Sequence, residues 1–146
     1  MKVVVGSDHA AFAAKEVVKD FLRSKNIEVI DVGTMSEDRC DYSDFAIELC
    51  KEVVTQNLMG ILLCGSGIGV SMVANRFAKI RAALCRSPHD AEMARKHNDA
   101  NVLCLGARTS TNDELKLILE SWFLHQFEGG RHIERLNKFQ NLGEKI

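Results

Sequence analysis

Cys64 ends an apolar run, and the five residues after it, Gly65-Ser66-Gly67-Ile68-Gly69, form a glycine-rich turn ahead of a helical stretch expected from Val70. Glycines let backbone amides approach a ligand closely. Free N–H groups where a helix begins favour an anion, either a phosphate or an enediolate-type intermediate. The turn is not a Walker A loop, since no Gly-Lys-Ser/Thr follows, and its third glycine falls one position too early for a dinucleotide fingerprint. On its own it reads equally well as a tight turn. The thiolate is the reactive form of cysteine, and cysteines at helix N-termini favour it. Cys64 therefore reads as a nucleophile or general base, with a small buried hydrophobe as the competing reading.

Other chemistry-bearing residues stand at similar junctions. Asp8-His9 follows the first apolar run. The histidine there suits phosphate binding or proton transfer, while Asp8 suits a helix N-cap equally well. His97-Asn98-Asp99 gathers an imidazole, an amide and a carboxylate where a helix should close, and a helix cap is the competing reading. Arg131 and Arg135, four apart, share one helix face and could grip a phosphate, or simply face water. Arg108 is a third phosphate candidate. Cys50, Cys85 and Cys104 fall on apolar helix or strand positions and read as core; Cys40 takes no assignment.

The elements that must position these groups alternate strictly. Short apolar runs at Lys2–Val5, Ile27–Val32, Gly60–Cys64, Ile80–Cys85 and Asn101–Leu105 read as strands, several of them nearly all apolar as strands buried on both faces should be. Between them lie helical stripes, such as Ala14, Val17, Val18, Phe21 and Leu22, or Leu115, Ile118, Leu119, Trp122 and Phe123. Strand and helix in alternation imply βαβ units and an α/β fold with a parallel sheet between helix layers. Ligands of such sheets bind at the carboxyl ends of the strands. Asp8-His9, the Cys64 turn and Arg108 are all expected on that edge. Glu128-Gly129-Gly130-Arg131 breaks the last stripe, and a C-terminal helix is expected over 131–146.

The 146 residues suit one domain able to fold without metal or disulfide. A net charge of −1 gives no basic excess to suggest nucleic acid or a membrane surface. Five cysteines, an odd number with no CxxC spacing, argue against a disulfide framework or zinc cluster and for a reducing, cytoplasmic compartment. The apolar run Val3-Val4-Val5 is too short for a signal peptide or a membrane span.

Taken together, Gly6-Ser7-Asp8-His9-Ala10, Asp41-Tyr42-Ser43-Asp44, Cys64 to Gly69, Arg81-Ala82-Ala83-Leu84, His97 to Leu103 and Glu128-Gly129-Gly130-Arg131-His132 resemble the type B ribose-5-phosphate isomerase family in order and spacing. The resemblance spans Val3 to about Leu136. It implies a three-layer α/β/α sandwich with a five-stranded parallel, Rossmann-like sheet. It further implies a homodimer or homotetramer whose active sites mix residues of two subunits, the C-terminal helix packing on a partner. The implied reaction is cofactor-free interconversion of ribose 5-phosphate and ribulose 5-phosphate; allose 6-phosphate and galactose 6-phosphate are the substrates of relatives within the family.

By the same resemblance, Cys64 takes the place of the proton-moving base and Ser66 lies near the sugar ring. His97 matches the ring-opening histidine, with Asp8 and Asp41 near the sugar hydroxyls. Asn98 and the amides from Gly65 through Gly67 to Gly69 match the enediolate-stabilising groups, and His9, Arg108, Arg131 and Arg135 match the phosphate ligands. Ser43 stands where the family often has Pro. Val70 stands where one branch has a catalytic Glu, which leaves that role here to Cys64. A phosphate- or nucleotide-binding module without catalysis would account for the glycine turn and the arginines, but not for Cys64, His97 and Asn98 together.

Overall fold

The alternation of apolar runs and amphipathic stretches is realised as five parallel strands and six helices in a computed structural model describing residues 1–146. The strands are β1 (Lys2–Ser7), β2 (Glu28–Asp31), β3 (Met59–Cys64), β4 (Ala82–Leu84) and β5 (Val102–Gly106). The helices are α1 (Phe12–Ser24), α2 (Tyr42–Gln56), α3 (Ile68–Ala74), α4 (Pro88–Asn98), α5 (Asn112–Leu124) and α6 (Arg131–Asn137). A 3-10 turn, His9–Ala11, links β1 to α1.

Successive side chains of a strand point to opposite faces, and the two cores divide accordingly. Val3, Val5, Ile61, Leu63, Leu103 and Leu105 pack with α1, α4 and α5 around the fully buried Trp122. Val4, Leu62, Val102 and Cys104 pack with α2 and α3. Both faces of the sheet are thus covered, as its near-continuous apolar strands require.

The strand order β2-β1-β3-β5-β4 reverses direction between β1 and β3. The connections after these two strands leave to opposite sides, which opens a crevice at their carboxyl ends. Asp8-His9 ends one strand and Cys64 the other.

Beyond shifts of one or two residues at the ends of β1, β2, β3 and β5, three expected bounds differ. The fourth strand is only Ala82–Leu84, because the Asn101 side chain takes the Arg81 amide at 2.8 Å before the ladder begins. The helix after the glycine turn starts at Ile68, two residues before Val70. The helix expected over 131–146 stops at Asn137. Beyond it, Gly143 (φ +114) lets the chain turn back, and Glu144 bonds the 76–78 segment through Ala78 N (2.8 Å) and Arg76 O (2.8 Å). No helix is long and apolar enough to cross a membrane.

Candidate active site at the carboxyl edge of the sheet

The glycine turn is folded around the Cys64 sulfur. The Gly67 amide donates to Cys64 Sγ at 3.1 Å. Gly67 has φ +75, and a Cβ there would lie 2.5 Å from Leu84 Cδ1 and 2.9 Å from the Leu105 carbonyl carbon. Cys64 is 5% exposed, and its remaining exposure faces an open cavity of about 350 Å³. That cavity is lined by Asp8, His9, Tyr42, Cys64, Ser66 and Arg108, among others. The end of β5 is tied to the turn through Ala107 N to Cys64 O and Arg108 N to Gly65 O, each 2.9 Å. This brings the Arg108 guanidinium over Gly65.

Asp8 caps the turn that follows β1 and also lines the cavity. Its Oδ1 accepts from the Ala11 amide at 3.1 Å. Its own amide donates to Leu63 O at 3.2 Å, fastening the end of β1 beside Cys64. The His9 Nδ1 is engaged by the Cys40 backbone, with the amide at 3.2 Å and the carbonyl at 3.1 Å. Nε2 is the ring nitrogen left for a ligand. Ser66 Oγ accepts from Ile68 N at 3.3 Å.

Five of the expected residues do not line this cavity. Asp41 is exposed and sits one residue before Tyr42, at the start of α2. His97 and Asn98 end α4, which connects two parallel strands and so runs back to the opposite, amino edge of the sheet. The five residues of β5 separate the two edges by about 16 Å at roughly 3.3 Å per residue. Arg131 and Arg135 belong to α6, which packs on α4. There the buried His132 stacks on His97 with ring centroids 4.5 Å apart at 12°, and Glu128 lies 3.9 Å from His97 Nε2. Within one chain the expected residues therefore form two groups on opposite edges.

The His97, Glu128 and His132 donor atoms lie within 4.8 Å of one another. A metal sits in the plane of each imidazole it binds, and near-parallel stacked rings do not share such a point, so this cluster is a packing contact. Burial, followed by His97, Arg131 and Arg135, pushes the His132 imidazole below its ordinary value. The hydrogen bond from Lys96 holds Glu128 low.

The core reading of the other cysteines holds. Burial pushes the Cys50 and Cys85 thiols up to about 12 and that of Cys104 well above its ordinary value. A larger depression of about 550 Å³ lies between Val54, Lys79 and Lys145, and no acidic side chain, imidazole or thiol lines it.

Sequence reasoning gave no role to Tyr42, Thr109, Cys40 or Lys15. Tyr42 lines the cavity, and a Cβ on Gly69 would lie 2.7 Å from its ring, so Gly69 makes room for it. Thr109 lines the cavity beside Arg108. For Lys15 a signal existed: it shares the buried face of α1 with Val18 and Leu22, at spacings of three and seven.

A family model described as Ribose/Galactose Isomerase matches residues 3–139. Ribose-5-phosphate isomerase B of Escherichia coli strain K12 is 41% identical over 136 residues, which cover 92% of this chain and 91% of that protein. A ribose 5-phosphate isomerase structure from Thermotoga maritima superposes with a TM-score of 0.93 at 44% identity, covering 95% of this chain and 97% of that one. Ribose-5-phosphate isomerase B from Mycoplasma genitalium, solved with bound ribulose-5-phosphate, superposes with a TM-score of 0.91 at 37% identity, covering 95% and 93%.

Proposed function

The chain belongs to the ribose/galactose isomerase family, and on that premise we propose that it interconverts ribose 5-phosphate and ribulose 5-phosphate with Cys64 as the base. The observation that carries this reading is the Cys64 sulfur, held by the Gly67 amide at 3.1 Å and facing the cavity that His9 and Arg108 also line.

The sugar enters as a closed ring and must first open, because only the open chain carries an acidic hydrogen beside its carbonyl. The thiolate of Cys64 takes that proton from C2 and leaves a cis-enediolate. Return of the proton to C1, with the O2 hydroxyl proton passing to O1, gives the ketose. The change is an internal hydrogen shift, so no oxidant or cofactor is consumed. A positioned base supplies roughly a hundred- to ten-thousand-fold of rate. The remaining amides of the Gly65–Gly69 turn, those not given to Cys64 Sγ and Ser66 Oγ, face the developing oxyanion, where preorganised donors act most strongly. Arg108 and His9 Nε2 grip the phosphate, far enough from the reacting carbons to act by positioning the substrate. Asp8 and Ser66 face the sugar hydroxyls.

The site is completed by a second copy of the chain. Ring opening is assigned to His97, enediolate stabilisation to Asn98, and further phosphate binding to Arg131 and Arg135, and within one chain these lie at the wrong edge of the sheet. An antiparallel dimer that sets the amino edge of one protomer against the carboxyl edge of the other brings the two groups together, and Asp41, one residue before the cavity-lining Tyr42, joins them. The exposed Ile133 of α6 and Ile68 and Met72 of α3 offer apolar surface for that contact. Five free cysteines support a cytoplasmic setting.

The test is complementation. Cys64→Ala and His97→Ala are each inactive alone. When they are unfolded and refolded together, mixed dimers carry one site with both native residues, and about a quarter of the native ribose 5-phosphate activity should return. No recovery from a mixture shown to contain mixed dimers would place both residues in the same protomer's site. The same assay run with allose 6-phosphate ranks the five- and six-carbon substrates.

A further inference from the structure

Lys15 is a lysine with no exposure at all. Its Nζ donates to Asp31 Oδ1 and to the Thr34 carbonyl, both at 2.6 Å, and lies 5.6 Å from the centre of the Phe12 ring. Asp31 Oδ1 also accepts the Gly33 amide at 2.9 Å, and its Oδ2 accepts from Lys19 at 2.6 Å. Burial alone would raise the Asp31 carboxyl, but the bonds from Lys15, Lys19 and Gly33 outweigh it and hold it below its ordinary value. Desolvating an ammonium costs several kcal/mol, and apolar replacements of buried ion pairs are often no less stable. The charge is therefore explained by the geometry it imposes more than by stability.

That geometry leads to the cavity. The Ser7 amide donates to Gly33 O at 2.7 Å, and the Thr34 amide donates back to Ser7 O at 2.8 Å. Lys15 and Asp31 thus clamp the two residues that pair with Ser7, and Ser7 is followed by Asp8 and His9. The same loop, residues 33–41, then reaches Cys40, whose amide meets His9 Nδ1 at 3.2 Å. The His9 turn is held from both sides by one loop, anchored at its root by a buried charge.

We propose that Lys15 is a positioning residue of the sugar-phosphate site: through Asp31 and the Thr34 carbonyl it fixes the loop that sets Asp8 and orients the His9 imidazole. The proposal rests on the assignment of His9 to the phosphate.

Lys15→Met, which keeps the length and removes the charge, should fold while its KM for ribose 5-phosphate and its inhibition constant for inorganic phosphate rise about tenfold, with kcat changed less than about threefold. Histidine nitrogen NMR gives a readout that needs no turnover. The His9 Nδ1 signal should report a hydrogen-bonded nitrogen in the native protein and an averaged one in Lys15→Met. A lowered melting temperature with unchanged KM, unchanged phosphate inhibition and an unchanged His9 signal would make Lys15 purely structural and overturn the proposal. Native protein without isomerase activity would defeat the functional reading, while the His9 signal would still judge the tether. If Lys15→Met does not fold, Lys15→Met/Asp31→Asn removes both charges and is read in the same way. Amide exchange on the native protein is a check independent of either variant: Ser7, Gly33, Thr34 and Cys40 should be protected, and fast exchange at these four amides would refute the clamp.

Discussion

The Gly67 amide donates to the Cys64 sulfur across 3.1 Å, and it does so from a backbone conformation, φ +75, that ordinary side chains rarely adopt. Donor and sulfur are three residues apart, so the turn closes on the very atom that ends the strand. A hydrogen bond to sulfur strengthens when the sulfur is charged, which ties the shape of the turn to the reactivity of the thiol.

Gly67→Ala should cost about 1–3 kcal/mol, from backbone strain and from a methyl group driven against the Leu105 backbone. Urea denaturation measures it, and kcat should fall alongside. An unchanged denaturation midpoint would mean that the turn accommodates a side chain, contrary to its close packing.

Cys64→Ala should lower kcat by about a hundred- to ten-thousand-fold while ribose 5-phosphate still binds, as read by calorimetry. The separation is expected because the phosphate contacts do not involve the sulfur. Turnover near the native level would remove Cys64 from the role of base.

Arg108→Ala and Arg135→Ala should each raise KM by about tenfold or more and leave kcat much less affected, since a lost charge-assisted bond is worth about 1.5–3 kcal/mol. The inhibition constant for inorganic phosphate should rise in step. An unchanged KM in Arg135→Ala would detach α6 from the site and leave Arg108 as the phosphate arginine.

His132 gives a pH dependence of stability. Its folded-state pKa is depressed below 6.5 by burial and neighbouring cations. As pH falls through 6.5 the unfolded chain takes up the proton first, so stability is present above that pH and declines as pH drops toward the folded value. His132→Phe keeps a ring against His97 and should flatten the melting temperature over this acidic window. A native profile already flat between about pH 7 and 5 would contradict the depressed value.

Much of this was legible along the chain. The five strands, the burial of β1, β3 and β5 on both faces and the placement of Asp8, His9, Cys64 and Arg108 on one edge follow from apolar runs that end in polar or glycine-rich junctions. Each such relation is local, or is fixed by the rule that parallel strands share a direction. Tyr42 and Thr109 escaped because a residue that merely lines a cavity carries no pattern of its own. Lys15 escaped because a lysine within a helical stripe reads as surface unless its exact angular position is weighed. The early end of α6 escaped because the glycine that turns the tail back lies well past the last helical residue, and its partner at Arg76–Ala78 is remote in sequence.

The residue types, their order and the hydrophobic period are enough to specify an α/β sheet with a sulfur and an imidazole at the ends of neighbouring strands. Those features depend on backbone preference and on side chains close in sequence, where few arrangements compete. The tertiary structure alone decided which charges were buried, that the 33–41 loop closes on His9, and that His97, Asn98 and the α6 arginines face away from Cys64 within one chain. These outcomes depend on contacts between segments far apart in sequence, whose relative placement is set by the packing of whole helices and not by any short run of residues.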